Sequence, residues 1–188
     1  MSALASLTVP RPHKLSGAEF DLLASAGYFD EFARAELIDG EILVVNALHR
    51  PHARVLSRLM IRLYLALRAS GLELEPMTAP SIALESGRPE PDILLTRQPM
   101  GDGPVPFSTV ALVIEVSDTT LSYDLGRKAE LYADAGVPEY WVVDISENRV
   151  FVHSSPETGV YRNRRVIIVG EQLQSDTLPQ LSVETHDL

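Results

Sequence analysis

Asp92 stands directly after Pro91 at the head of the apolar run Ile93-Leu94-Leu95, and Glu115 is set inside a second run, Val110-Ala-Leu-Val-Ile-Glu-Val116. A short run rich in β-branched residues fits a strand buried on both faces. A lone carboxylate in such a strand costs several kcal/mol or is driven to take up a proton. A buried cationic partner, an exposed strand end or a bound metal ion would each relieve Glu115. Mg²⁺ takes hard oxygen ligands and needs only one or two carboxylates, with water and phosphate completing its shell. Neighbouring strands can bring Asp92 and Glu115 to one such ion. The alternative leaves Asp92 as a turn residue and Glu115 as the partner of a buried Arg.

Lysine is the next candidate. The sixteen basic residues include only two lysines, Lys14 and Lys128. An ammonium is a compact donor that suits a reacting oxygen better than a guanidinium does. Asp124 and Lys128 lie four apart on an expected helix and share a face. They form either a surface ion pair of little energetic worth or a site group over the end of the strand carrying Glu115. His49 and His52, three apart at a helix start with no third histidine nearby, read as cap or surface residues. There is no Gly-rich phosphate loop and no Gly-x-Ser-x-Gly elbow. The chain has no cysteine, which excludes thiolate nucleophiles, thiolate metal sites and disulfides.

These residues need elements to position them. Ser16-Gly-Ala-Glu19 has the form of a capping box opening a helix to about Ala26, with Gly27 ending it. "ELIDGEILVVN" (36–46) alternates around Asp39-Gly40, a hairpin signal. From about Pro51 to Ser70, Val55, Leu56, Leu59, Leu63 and Leu67 recur at helical spacing, and Gly71 suits the C-terminal cap. "SIALE" (81–85) and "PDILLT" (91–96) read as strands joined around Gly87, and 97–108 reads as a loop. A helix over about 123–135 then links strand 110–117 to "EYWVVDI" (139–145). That spacing is the length of a βαβ crossover, so those two strands should run parallel. Tyr140 and Trp141 read as packing residues. "RVFVH" (149–153), an arm over 160–169 and a short tail complete a mixed sheet. No repeat or linker divides the chain, which reads as one α/β domain over 1–188.

Length, 45% hydrophobic content and 22% charged content are those of an ordinary globular domain. The opening "MSALASLTVPRPHKL" lacks a long apolar stretch after a basic region, and no run approaches the roughly 20 apolar residues that span a bilayer. A cytoplasmic protein is expected. The formal net charge of −10 argues against a simple non-specific nucleic-acid binder, whose affinity rests on cations meeting phosphates. It leaves open an enzyme whose acidic site meets phosphate through a metal ion.

The order of pieces is informative. "ELIDGEI", a helix preceded by His, "PDILL", "LVIEVSD" and "DLGRKAELYADAGVPEYWVVD" together resemble the Uma-two (Uma2) family of endonucleases, within the PD-(D/E)XK nuclease superfamily. The resemblance covers about residues 34–153. It implies a restriction-endonuclease-like core, a mixed sheet flanked by helices, with a divalent-metal site (Mg²⁺ or Mn²⁺) and DNA as substrate. Asp92 and Glu115 would be the metal ligands. The superfamily's usual lysine position, two residues after the second acid, holds Ser117; Lys128 on the next helix is the matching position in the family. Glu41 is similar to the upstream acid of many such sites and completes the catalytic set of Glu41, Asp92, Glu115 and Lys128. Nucleases of this type often pair, so a homodimer is a further expectation. Two other readings stand beside it: a non-catalytic binding module on the same fold, and a phosphohydrolase of small nucleotides.

Overall fold

The computed structural model describes residues 12–45, 49–85 and 87–188. The first eleven residues, on which the reading of the N-terminus as lacking a secretory signal rests in large part, lie outside these, as does Asn46 of the hairpin segment. The capping box is present: Ser16 accepts from the Glu19 amide, and Glu19 accepts from the Ser16 amide and hydroxyl, opening α1 (Gly17–Ser25). Strands β1 (Arg34–Ile38) and β2 (Glu41–Val45) form the expected hairpin. Asp39 and Gly40 take positive φ of 50° and 75°, the backbone that a two-residue turn of this hand needs. The long helix α2 (Arg50–Ser70) ends at Gly71 in the left-handed conformation.

After β3 (Glu75–Thr78) come three short pieces, β4 (Ile82–Ala83), β5 (Gly87–Arg88) and, beyond β6 (Ile93–Thr96), β7 (Val105–Pro106). Strand β8 (Val110–Ser117) leads into a helical segment built of α3 (Leu121–Tyr123), a π-turn over Asp124–Lys128 and α4 (Ala129–Asp134). Strands β9 (Glu139–Asp144), β10 (Arg149–Glu157) and β11 (Val160–Ile168) come next, and β12 (Gln172–Gln174) pairs with β13 (Ser182–Glu184). The main sheet has the order β11-β10-β9-β8-β6-β3, and a second sheet has the order β2-β1-β5. Strands β8 and β9 run parallel, as the crossover spacing predicts, and the other ladders of the main sheet are antiparallel.

Three expectations are corrected. Segments 81–85 and 91–96, read as strands joined around Gly87, are separated by a further short strand that begins at Gly87 itself. Gly87 and Arg88 pair with β1, while β6 lies between β3 and β8. The helix expected over 123–135 begins two residues earlier and carries the π-turn. The arm over 160–169 is the second strand of one hairpin with β10, turning at Thr158-Gly159.

Apolar residues of the central strands serve both faces. Ile93, Leu95, Leu112, Ile114, Trp141 and Val143 pack with Val55, Leu59, Leu63 and Leu67 of α2. Leu94, Val113, Tyr140 and Val142 pack with Ala129, Leu131 and Tyr132 of α4. Helix α2 therefore presents one stripe to the sheet, and each fully buried leucine on it contributes about 2 kcal/mol. This two-sided burial is why strands β6, β8 and β9 read as continuous apolar runs.

Candidate active site

A cleft of about 350 Å³ opens where β1, the N-terminal end of α2, the start of β6, the end of β8 and the π-turn converge. Asp92, Glu115 and Lys128 all line it. Asp92 is held on three sides: Oδ1 accepts from Arg34 Nη2 at 3.1 Å, and Oδ2 accepts from the Val116 amide at 2.8 Å and meets His52 Nε2 at 3.0 Å. Burial pushes its carboxyl upward, but the His52 bond, the amide and the Arg34 charge outweigh it, so its pKa lies below the ordinary Asp value.

Glu115 shares a strand face with Val113, two residues before it, and so points toward the helical segment. Its Oε1 accepts from Lys128 Nζ at 2.9 Å and from the Tyr132 hydroxyl at 3.1 Å; neither bond uses Oε2. Burial raises the pKa to about 8 against the pull of Lys128, with Asp92, Glu36 and Asp124 adding to the rise. Lys128 is itself buried. Burial alone would favour its neutral form, but the charges of Glu115, Glu36 and Asp124 outweigh that and raise its pKa above the ordinary Lys value. A π-turn adds a residue to one helical turn and rotates the residues beyond it; such turns gather at functional sites. Here the turn ends on Lys128, which reaches across the gap left by Ser117.

Glu41 is not in the cleft. It heads β2 beside the hairpin turn, more than half exposed, and pairs with Arg127 at 2.7 Å. The acid that β1 delivers is Glu36, which is 2% exposed. Its Oε1 accepts from Lys128 Nζ at 3.3 Å. Its Oε2 lies 3.1 Å from the same ammonium but out of line, and accepts no hydrogen bond. The signal for Glu36 is its place along the hairpin: Glu41 pairs with Ile38 and so shares the face of Arg34 and Glu36, but it stands at the tip, whereas Glu36 lies in the middle of β1. His52 is not a surface residue. It falls on the same helical stripe as Val55, Leu59 and Leu63, and that spacing was the available clue. His49 takes the N-cap position of α2 without a side-chain cap bond.

Among the described residues no group of three or more His, Asp or Glu side chains is arranged to hold a metal ion. The donor chemistry nevertheless fits a hard divalent cation. Five acidic side chains line the cleft (Glu36, Asp92, Glu115, Asp118 and Asp124) against the basic Arg34 and Lys128, a formal excess of three acids over bases. The raised pKa of Glu115 and the donor-less Glu36 Oε2 are signs of that imbalance. A divalent cation beside Asp92 and Glu115 would offset most of it.

A family model for Uma2, described as "Putative restriction endonuclease", matches residues 18–186. The chain belongs to the Uma2 family. No curated protein matches it. Among solved structures it is similar to the crystal structure of "a putative nuclease belonging to DUF820" from Anabaena variabilis ATCC 29413. The TM-score is 0.59 and the identity 15%, over 77% of this chain and 83% of that one. That likeness concerns the fold, and it agrees with the restriction-endonuclease-like α/β architecture expected from the sequence. The Uma2 chain is thus nuclease-like in family and fold, and no helix among its described residues is long and apolar enough to cross a membrane.

Proposed function

We propose that this Uma2 chain is an endonuclease that hydrolyses DNA phosphodiester bonds with Mg²⁺ or Mn²⁺. The observation that carries the reading is the meeting of Asp92, Glu115 and Lys128 in one cleft with unbalanced negative charge. Asp92 and Glu115 would hold the cation. When bound, the cation supplies charge neutralisation at the phosphate and acidifies the attacking water.

The chain's own residues supply the rest. Arg34, His52 and the Val116 amide fix both oxygens of Asp92, so its carboxylate meets its ligand in one orientation. Lys128 and Tyr132 hold Oε1 of Glu115, which leaves Oε2 for the cleft. Lys128 faces Glu115 and Glu36 at once and is placed to stabilise charge developing on the phosphoryl oxygens. Glu36, with one oxygen free of hydrogen bonds, takes the place of the upstream acid that the resemblance gave to Glu41, and would accept from the attacking water. A cytoplasmic location and a homodimeric state belong to the same proposal.

Purified protein with Mg²⁺ or Mn²⁺ should nick plasmid DNA. Asp92→Ala and Lys128→Ala should each lower the rate by at least about a hundredfold, whereas Glu41→Ala should leave it within a factor of a few. Unchanged rates in the first two variants would overturn the assignment. The net charge of −10 favours a second substrate class, small nucleotides, which meet less of the acidic surface than a polymer does. Turnover of nucleotides alongside intact plasmid would select that reading.

A further inference from the structure

Five buried side-chain polar atoms among the described residues have no hydrogen-bond partner, and three of them belong to the cleft: Glu36 Oε2, His52 Nδ1 and the Tyr123 hydroxyl. Unpaired polar atoms are rare in folded proteins and each costs about 1–3 kcal/mol. Three in one cavity mark a site completed by what binds there. Glu36 and His52 each have another side-chain atom engaged, with Lys128 and Asp92 respectively. Tyr123 has only its hydroxyl, and that makes no bond at all.

Tyr123 is the last residue of α3, directly before the π-turn that delivers Lys128. Burial, more than any neighbouring charge, raises its pKa, so the hydroxyl keeps its proton and is available as a donor. The charges that act on it most are those of Arg127 and Lys128, followed by Glu36 and Asp39. Lys128 lines the same cleft, and a neutral donor sharing a cavity with that ammonium fits a ligand atom that only accepts and carries negative charge. Phosphate oxygen is such an atom.

We propose that Tyr123 is a substrate-binding group whose hydroxyl donates to a non-bridging phosphate oxygen of the polynucleotide, beside Lys128. The inference rests on the nuclease reading in taking a nucleic-acid phosphate as the ligand.

The test compares the full chain with Tyr123→Phe. Calorimetric titration with a 5′-phosphorylated thymidine dinucleotide, in Ca²⁺ to avoid turnover, should show about tenfold weaker binding in the variant. Binding of Mn²⁺ itself should be unchanged, since the hydroxyl is no metal ligand. The melting temperature should hold or rise, because the substitution removes a buried unpaired hydroxyl. Equal dinucleotide affinity in both proteins would overturn the proposal and assign the hydroxyl to an ordered water. So would a wild-type protein that does not bind the dinucleotide. Tyr123-dependent binding without cleavage of DNA in Mn²⁺ would instead overturn the nuclease reading and leave this inference standing.

Discussion

Adjacent parallel strands carry the two most instructive carboxylates of the molecule, Glu115 near the end of β8 and Glu139 at the start of β9. Both are buried, at 3% and 0% exposure. Glu139 is surrounded by neutral donors. Its Oε1 accepts from Trp141 Nε1 at 2.7 Å and the Asp176 amide at 3.0 Å. Its Oε2 accepts from the Ser175 and Thr177 hydroxyls at 2.6 and 2.7 Å and the Thr177 amide at 2.8 Å. Glu115 receives two bonds, both on one oxygen, and shares its surroundings with four more acids. One carboxylate is saturated and ties residues 175–177 to the sheet. The other is underserved, and the shortfall lies on the side facing the cleft. Burial alone does not separate Glu115 from Glu139; the unfilled valence of Glu115 does. The position agrees with this, since ligand crevices in open α/β sheets form outside the carboxyl ends of parallel strands.

The comparison breaks most visibly if the saturated acid is removed. Glu139→Ala strands five donors in a sealed site, and the expected loss is about 3–5 kcal/mol of stability. Urea denaturation measures it, with a lowered midpoint and an unchanged slope. DNA cleavage per folded molecule should persist, because Glu139 lies at the opposite end of the strand pair from the cleft. A Glu139→Ala protein of wild-type stability would show that the five bonds contribute nothing.

Acid sharpens the same contrast on the Glu139 side. His153 on β10, next to Ser154, which pairs with Glu139, is 4% exposed and packs against the rings of both Tyr140 and Tyr161, which also meet each other. Burial, helped by the charge of Arg164 across the β10–β11 ladder, lowers its pKa from the ordinary 6.5 to about 4. Below pH 6.5 the unfolded chain takes up a proton that the folded chain refuses. Stability should therefore fall as the pH drops from 6.5 toward 4, by at most about 3 kcal/mol. His153→Phe should flatten that part of a stability–pH curve. A slope equal to wild type would remove His153 as its source.

How far these sites were legible in the sequence depends on the range of the interactions that make them. The capping box at Ser16, the Asp39-Gly40 turn, the Gly71 cap and the β8–β9 crossover depend on residues close along the chain, and each was read correctly. Strand β3 was not. Glu75-Pro76-Met77-Thr78 shows no alternation and contains a proline, which only an edge strand accepts, and its pairing with β6 is settled by tertiary contact. Asp92, Glu115 and Lys128 were each singled out, but their convergence needed the resemblance as well as the spacing. Glu36 is hidden in the sequence because both hairpin acids share a face, and only the fold brings the middle of β1 rather than the tip to the cleft. The Glu139 clamp had no signal before the fold, since four of its five donors lie 36–38 residues away.

The smallest expected effect concerns Glu115 itself. Glu115→Gln keeps an oxygen for Lys128 and Tyr132 and replaces an acid that burial already holds largely protonated up to about pH 8. Without metal, stability should stay within about 1 kcal/mol of wild type, in contrast to the loss at Glu139. With Mn²⁺ the order should reverse. A ligand that binds only the folded state adds about 2.7 kcal/mol at a hundredfold excess over its dissociation constant, and the variant should forgo most of that gain. Thermal melts of both proteins across a Mn²⁺ series would show the two curves separating only as metal is added. Curves that are apart before metal and parallel after it would make Glu115 a structural acid like Glu139, and the contrast between the two strands would collapse.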